Sequence, residues 1–242
     1  MRATLEAFPA YTTRKRMFML FRWVVHVLNE RGHPCVDPTP ALEREFAEDE
    51  RPIHAVRDLA TQADVLARHA LVSVSGWKGV RLAALVRLLA DTGLRKEDLR
   101  GMLLAALLLD ASSPTLTVPG PRGMPPRTLP LSPPTVLALQ QWLQVRPACA
   151  SALLFVADES GKAMDPATVW RQLKRLEAAV GEVGALLSGT TSIRAAFANQ
   201  LRATGASVEE IQEALGHRQR TSTTELLDRI VQAGPVRRAR RR

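Results

Sequence analysis

The apolar residues of the N-terminal third recur at helical spacing. Over residues 13–29 these are Phe18, Phe21, Val25 and Leu28, with charged residues between them. Apolar positions three and four apart mark one face of an amphipathic helix. The spacing recurs over residues 40–49 and 53–71, after a Pro- and Gly-containing segment at 32–40 that ends the first helix. The pattern predicts a small, all-helical N-terminal domain.

Helical periodicity is lost at residues 72–79, where Ser and Gly replace the apolar repeat. A new apolar pattern starts at Arg81, and Gly93 stands where a left-handed helix cap is expected. A second helix is predicted from about Lys96 to Leu109. We therefore expect three parts, which are a small helical domain at 1–75, a larger domain at 76–234 and a basic tail at 235–242.

The larger domain is predicted to be mainly α with a small β-hairpin or sheet element. Residues 115–131 alternate β-prone pieces with a Pro- and Gly-containing turn, which indicates an irregular hairpin. Apolar spacing, with Ser, Asp or Pro near several of the starts, predicts the helices that follow. These predicted helices cover residues 133–145, 166–180, 192–204, 208–215 and 223–233.

Charge points to a polyanionic partner. The net charge is +9 and the isoelectric point is near 10.6, yet residues 1–70 contain ten basic and ten acidic residues. Much of the excess lies in the tail, as Arg237, Arg238, Arg240, Arg241 and Arg242. Such a tail is either a disordered solubilising end or an arm that neutralises phosphates. The first predicted helix carries Arg14, Lys15, Arg16 and Arg22, which form either a solvated face or a DNA-backbone contact.

Other classes of protein find no support in the sequence. No apolar run is long enough to span a membrane, and Cys35 and Cys149 have no metal-ligand or disulfide spacing. No phosphate-cradling glycine loop is present. We therefore expect a soluble cytoplasmic protein without membrane, metal or cofactor.

Four short motifs follow one another after residue 90. They are Thr92-Gly93-Leu94-Arg95 with Asp98, Arg122-Gly123 with Arg127-Thr128-Leu129-Pro130-Leu131, Thr191-Ser192-Ile193-Arg194, and Leu215-Gly216-His217. In order and separation they resemble the catalytic motifs of the tyrosine recombinases, or phage integrases. The resemblance implies a helical core-binding domain and a catalytic domain that close around duplex DNA, with the basic helix against the DNA.

Three positions depart from the family pattern. Arg122 replaces a lysine that acts on the leaving oxygen, and Thr191 replaces a histidine. Leu226 or Leu227 stands where the nucleophilic tyrosine is expected, and the single tyrosine of the chain is Tyr11. A leucine cannot attack phosphorus, so the departures predict a pocket that is degenerate at Arg95, Arg122, Thr191, Arg194, His217, Leu226 and Leu227.

The resemblance and its departures together predict a DNA-binding protein with an inactive tyrosine-recombinase fold, and thus not an enzyme. The expected role is that of a nucleoid-associated accessory or regulatory factor in recombination, repair or replicon maintenance. Arginine forks can hold phosphate oxygens whether or not a bond breaks. The expected phosphate-binding residues are Arg95, Arg122, Arg127, Arg194 and His217.

Two alternatives stay open from the sequence. One is an active recombinase whose nucleophile is Ser222, Thr223 or Thr224, or a tyrosine supplied by another subunit. The other is an inactive subunit that joins an active recombinase. The expected partners are double-stranded DNA and either further copies of this chain or an active recombinase in a hetero-oligomer.

Overall fold

The computed structural model describes residues 2–8, 11–42, 53–55, 58–110, 112–120, 124–181 and 190–232. The chain separates into two compact units, residues 1–51 and residues 52–242. The helix Leu59–Ser73 therefore belongs to the second unit, although the sequence analysis placed it before a boundary at residue 75. The functional division into domains at 1–75 and 76–234 stays a prediction.

The first unit contains helices α1 (Arg2–Glu6) and α2 (Tyr11–Glu30). Helix α2 confirms the helix predicted at residues 13–29. The small core of this unit is formed by Leu5, Phe18 and Leu42, with Met17 and Phe21 packed against it. Of the predicted apolar stripe, Phe18 is buried, whereas Leu28 at the other end is 38% exposed.

Seven further helices lie in the described part of the second unit. They are α3 (Leu59–Ser73), α4 (Trp77–Thr92), α5 (Pro133–Val145), α6 (Pro166–Val180), α7 (Thr190–Ala203), α8 (Val208–Leu215) and α9 (Arg220–Asp228). Helices α5, α6 and α8 have the predicted bounds. Local chemistry fixes them, because α5 and α6 begin with Pro and α8 begins with a capping box between Ser207 and Glu210.

The strands form two small sheets. Strands β2 (Leu107–Leu108), β3 (Thr115–Val118) and β4 (Arg127–Pro130) make an antiparallel sheet in that order, which confirms the predicted hairpin. Strand β1 (Ile53–Ala55) pairs in parallel with strand β5 (Ile230–Gln232). Pro130 is tolerated because β4 is an edge strand and needs no second row of hydrogen bonds.

The helix predicted from Lys96 to Leu109 is wrong. Short 3₁₀ turns at Asp98–Gly101 and Leu104–Ala106 stand there instead, followed by β2. The backbone of this segment bonds to a distant one: Leu104 N–H donates to the Ala152 carbonyl over 2.8 Å, and Leu154 N–H donates to the Met102 carbonyl over 2.7 Å. Long-range pairing therefore overrides helical spacing.

Two other predicted helices exist, but their bounds differ from the prediction. The helix predicted at 223–233 is α9, which begins earlier and ends at Asp228, and the helix predicted from Ile53 begins at Leu59. The missing ends are the two paired strands, with Ile53 opposite Ile230. The part of the 40–49 helix beyond residue 42 lies outside the described residues. None of the helices in the described ranges is long and apolar enough to span a membrane.

Helix α4 is the centre of the second unit. Its Leu85, Leu88 and Leu89 are fully buried, and α4 packs against α3, α5 and α7. Burial of side chains of this size stabilises the fold by about 1.5–3 kcal/mol each. The C-terminal end of α4 is thus held rigidly, and the first motif begins there.

Candidate functional site

Arg95 is positioned by the end of helix α4. Gly93 caps the helix in the left-handed conformation (φ +58°), and its N–H donates to the Leu89 carbonyl over 2.9 Å. A Cβ at position 93 would overlap the ring of Phe197, so glycine is required for space as well as for backbone conformation. The Arg95 backbone N–H then donates to Asp98 Oδ2 over 3.2 Å. The Arg95 side chain itself is half-buried.

Arg194 projects from helix α7 and is only 8% exposed. Its Nη1 donates to the Gly93 carbonyl over 2.6 Å and its Nη2 donates to the Leu215 carbonyl over 2.5 Å. The guanidinium therefore links the cap of α4 to the end of α8. Because a guanidinium has five N–H donors, three remain after these two bonds.

Arg127 and Asp98 form an ion pair next to Arg194. Arg127 on β4 is 8% exposed, and its Nη2 lies 3.2 Å from Asp98 Oδ2. Its Nε donates to the Ala214 carbonyl over 3.2 Å. Asp98 thus accepts from the backbone of Arg95 and from the side chain of Arg127, and it ties the first motif to the hairpin.

His217 enters the cluster from the turn after helix α8. Gly216 is left-handed (φ +61°), and its carbonyl accepts a long 3.5 Å hydrogen bond from Arg95 Nη2. The His217 backbone is fixed on both sides, since its N–H donates to the Gln212 carbonyl and its carbonyl accepts from Gln212 Nε2. The ring is 9% exposed, and its Nδ1 lies 2.9 Å from the Thr223 hydroxyl.

The cluster has more positive than negative charge, and this helps to lower the pKa values of Arg194 and His217. Burial, and next the charge of Arg95, lower the pKa of Arg194 to about 9, although Asp98 opposes the shift. Burial, and next the charges of Arg194, Arg95 and Arg127, lower the pKa of His217 to about 4. The imidazole is therefore neutral at pH 7, and the arginines repel one another unless an anion joins them.

A cavity of about 360 Å³ opens beside His217 and Arg127. Its other walls come from the end of the hairpin, at Met124, Pro125 and Pro126, and from α8. Glu209 at its edge is paired with Arg220 over 2.7 Å. The cavity thus borders the cluster at Arg127 and His217, on the side of the hairpin and α8.

The other predicted site residues either lie outside the described residues or lie elsewhere in the chain. Arg122 and Arg237–Arg242 lie outside the described residues, as does the side chain of Thr191, although its backbone belongs to α7. Arg14, Lys15, Arg16 and Arg22 lie on α2 in the first unit. On α9, Leu227 is a core residue and Leu226 is half-buried against the core.

Sequence reasoning missed the role of Thr223. It named Thr223 only as one alternative nucleophile, yet the residue is fully buried and contacts the ring of His217. The six-residue separation of His217 and Thr223 was visible, but only the turn into α9 brings them together.

Sequence reasoning also missed Arg81, whose Nη1 donates to the Val156 and Ala157 carbonyls over 2.6 and 2.9 Å. Burial lowers the pKa of Arg81 to about 10.

Two relatives with curated names bear on the family. The tyrosine recombinase XerA of Pyrococcus furiosus is 30% identical over 162 residues, which are 66% of this chain and 54% of XerA. The tyrosine recombinase XerD of Brucella suis is 28% identical over 243 residues, covering 96% of this chain and 77% of XerD. The chain thus spans about half the length of the first relative and about three quarters of the second.

A solved structure shows the same fold. The Tn1549 transposon integrase in complex with a circular intermediate DNA superposes with a TM-score of 0.71 at 14% identity, over 95% of this chain and 78% of the integrase. This confirms the predicted mainly helical fold with its small sheet. At that level of identity the likeness concerns the fold alone.

These findings contradict the prediction that the chain is not an enzyme. That prediction rested on Leu226 and Leu227, whereas the relatives carry the name of tyrosine recombinases, which are enzymes. A leucine cannot itself attack phosphorus, but the attacking hydroxyl can come from another residue or from another subunit. The model of the phage integrase family matches residues 64–226, about two thirds of the sequence. The chain therefore belongs to the phage integrase family, as its motifs had indicated.

Proposed function

We propose that this chain binds duplex DNA and acts in DNA recombination, with one DNA phosphate held by Arg95, Arg194 and His217. The observation that carries the proposal is the convergence of these side chains with Arg127 around a single carboxylate, Asp98. A phosphodiester supplies the negative charge that this cluster lacks. Membership of the phage integrase family and the recombinase names of its relatives support the same function.

We propose that Arg95 and Arg194 contact the phosphate in different ways. Arg95 is half-buried, and its side chain makes one weak hydrogen bond to the described residues, the 3.5 Å bond to the Gly216 carbonyl. Most of its donors therefore remain for a ligand. Arg194 is held by two carbonyls and offers its remaining donors from a fixed position. A planar fork held in this way favours two oxygens of one phosphate.

Arg127 is proposed to support the site without contacting the phosphate directly. Its Nε and Nη2 are already bonded to Ala214 and Asp98. It orients the turn that carries His217 and adds positive charge, while Arg95 and Arg194 supply the direct contacts. In a phosphoryl transfer such fixed donors stabilise the negative charge that grows on the non-bridging oxygens.

The attacking hydroxyl is the part of this chemistry that experiment must assign. Thr223 is enclosed in the protein, and Thr224 donates to the Thr221 carbonyl over 3.0 Å, while Ser222 is exposed. A tyrosine from another subunit is the remaining source. The oligomeric state, whether further copies or a second recombinase, belongs to the same proposal and is measured by sedimentation with and without DNA.

The test is a titration of the full chain with duplex DNA at several salt concentrations. Arg95→Ala is expected to weaken binding at least about tenfold, since charge-assisted hydrogen bonds contribute about 1.5–3 kcal/mol. The matched control is Arg100→Ala, which removes an exposed arginine five residues away. Equal affinities of the two variants would contradict the phosphate site.

A second arm uses a nicked suicide duplex and a denaturing gel. A covalent adduct would show that a hydroxyl attacks phosphorus, and mapping the adduct would identify the residue. If an adduct forms only after a tyrosine-bearing recombinase is added, the nucleophile comes from another subunit. No DNA binding by the wild-type chain at low salt would overturn the proposed function.

A further inference from the structure

The hydroxyl of Thr223 lies within hydrogen-bond distance of the ring of His217. Thr223 lies in the first turn of α9 and is fully buried, with Oγ1 2.9 Å from His217 Nδ1. Gln212 of α8 holds the His217 backbone, through one hydrogen bond to its carbonyl and one from its N–H. The ring and the hydroxyl therefore meet in a fixed arrangement.

The direction of this hydrogen bond follows from what else the hydroxyl can reach. Within the described residues, His217 Nδ1 is the one hydrogen-bond partner of the Thr223 hydroxyl. A buried O–H without an acceptor costs free energy, so its hydrogen points at the Nδ1 lone pair. Nδ1 is then unprotonated, and a neutral imidazole carries its proton on Nε2.

The surroundings keep the ring in that neutral form. The charged groups that face it are Arg95, Arg127 and Arg194, and together with burial they hold the pKa of His217 near 4. At neutral pH the ring therefore has one N–H, and Nε2 has no protein partner among the described residues. Gly216 and His217 also line the cavity beside Arg127, so this face of the turn is open to a ligand.

We infer that Thr223 is a positioning residue that fixes His217 in the Nε2–H tautomer, so that Nε2 donates to an oxygen of the bound phosphate. This inference rests on the proposed function. In the other tautomer, Nε2 would present a lone pair to a negatively charged oxygen, and the contact would be repulsive. Thr223 acts through His217 and does not touch the DNA.

The experiment measures the tautomer of His217 in the free protein and, separately, the affinity of the protein for DNA. Long-range ¹H–¹⁵N NMR spectra of the full chain distinguish protonated from unprotonated ring nitrogens, and His217→Asn assigns the resonances. We expect Nε2 protonated and Nδ1 unprotonated in the wild type at pH 7. Thr223→Val, of nearly the same shape, should lose this preference and weaken duplex binding about tenfold, whereas Thr223→Ser should restore both.

The matched control is Thr224→Val, because among the described residues the Thr224 hydroxyl bonds only to backbone carbonyls of its own helix. It should leave the His217 tautomer and DNA affinity unchanged. A wild-type ring protonated on Nδ1, or a Thr223→Val variant with unchanged tautomer, would overturn the inference. If Thr223→Val unfolds, the wild-type spectrum and Thr223→Ser still decide it. A wild type that has the expected tautomer but binds no DNA would refute the proposed function and the phosphate contact, and leave the tautomer assignment standing.

Discussion

Two arginines of the proposed phosphate site are buried, whereas basic residues of helix α2 are exposed. Arg127 and Arg194 are 8% exposed and bonded to carbonyls or to Asp98, whereas Arg16 and Arg22 are exposed on α2. Buried guanidiniums cannot change direction, so they favour one geometry of anion. Exposed charges attract any phosphate, and salt screens them. Under the proposed function, the buried arginines of the second unit would set the geometry of phosphate binding, and the exposed charges of α2 would add attraction that does not depend on DNA sequence.

The fixed site has a cost in stability that the exposed helix does not have. Burial disfavours the charged form of Arg194 and lowers its pKa to about 9. The fold offsets this with the carbonyls of Gly93 and Leu215, which are aimed at the guanidinium. Removal of one side of such an arrangement leaves the other unsatisfied. The largest expected effects are therefore in this cluster.

The replacement of Arg194 should give the largest loss of stability. Arg194→Ala leaves two carbonyls without their donor and is expected to reduce the free energy of unfolding by about 3 kcal/mol. Urea unfolding measures it. Arg202→Ala is the control, because Arg202 is an exposed arginine of the same helix, and its removal should change stability by less than about 0.5 kcal/mol. Similar midpoints for both variants would contradict the anchoring role of Arg194.

Stability should depend on pH through His217. The folded-state pKa is about 4 against an ordinary value of 6.5, so the unfolded chain binds more protons between these values. This contribution is complete above pH 6.5 and is lost as the pH falls towards 4, by up to about 3 kcal/mol. Unfolding of the wild type and of His217→Asn across pH 4–7 measures it. Parallel pH profiles for the two proteins would show that His217 is not depressed.

A smaller effect is expected at the turn before His217. In Gly216→Ala the new Cβ would lie about 2.5 Å from Arg127 Nη1, so the guanidinium must move. The control is Gly205→Ala, which also has a positive φ (+89°) but no atom within 4 Å of the new Cβ. We expect Gly216→Ala to cost about 1–2 kcal/mol more than Gly205→Ala, and to weaken DNA binding as well. Equal losses of stability would mean that Arg127 is not held against this turn.

The exposed helix should give the smallest effect. Arg16→Ala is expected to reduce DNA affinity about two- to threefold for every sequence and to lower the salt slope by about one. Arg31→Ala is the control, because Arg31 is an exposed arginine directly after the same helix. Removal of residues 237–242 should act in the same uniform manner but more strongly. A loss confined to one DNA sequence would show that these charges select sequence.

Much of the candidate site could be found from the sequence, since Arg95, Arg127, Arg194 and His217 stand in ordered motifs. The sequence could not show which of these residues bond to other protein groups and which stay free for a ligand. Arg127 was expected to hold phosphate, but its pairing with Asp98 and Ala214 is visible only in the fold. The contact of Thr223 with His217 depends in the same way on the turn between α8 and α9. Side chains six to more than eighty positions apart meet only after packing.

The sequence by itself determined the helices whose ends have local signals, such as the Pro start of α5, the capping box of α8 and the glycine cap of α4. It also determined the family. Only the tertiary structure decided that residues 96–109 are not a helix and that Ile53–Ala55 pairs with Ile230–Gln232. The physical reason is the range of the interactions. Caps and apolar spacing act within a few residues, whereas strand pairing and buried ion pairs join segments that only the folded core brings together.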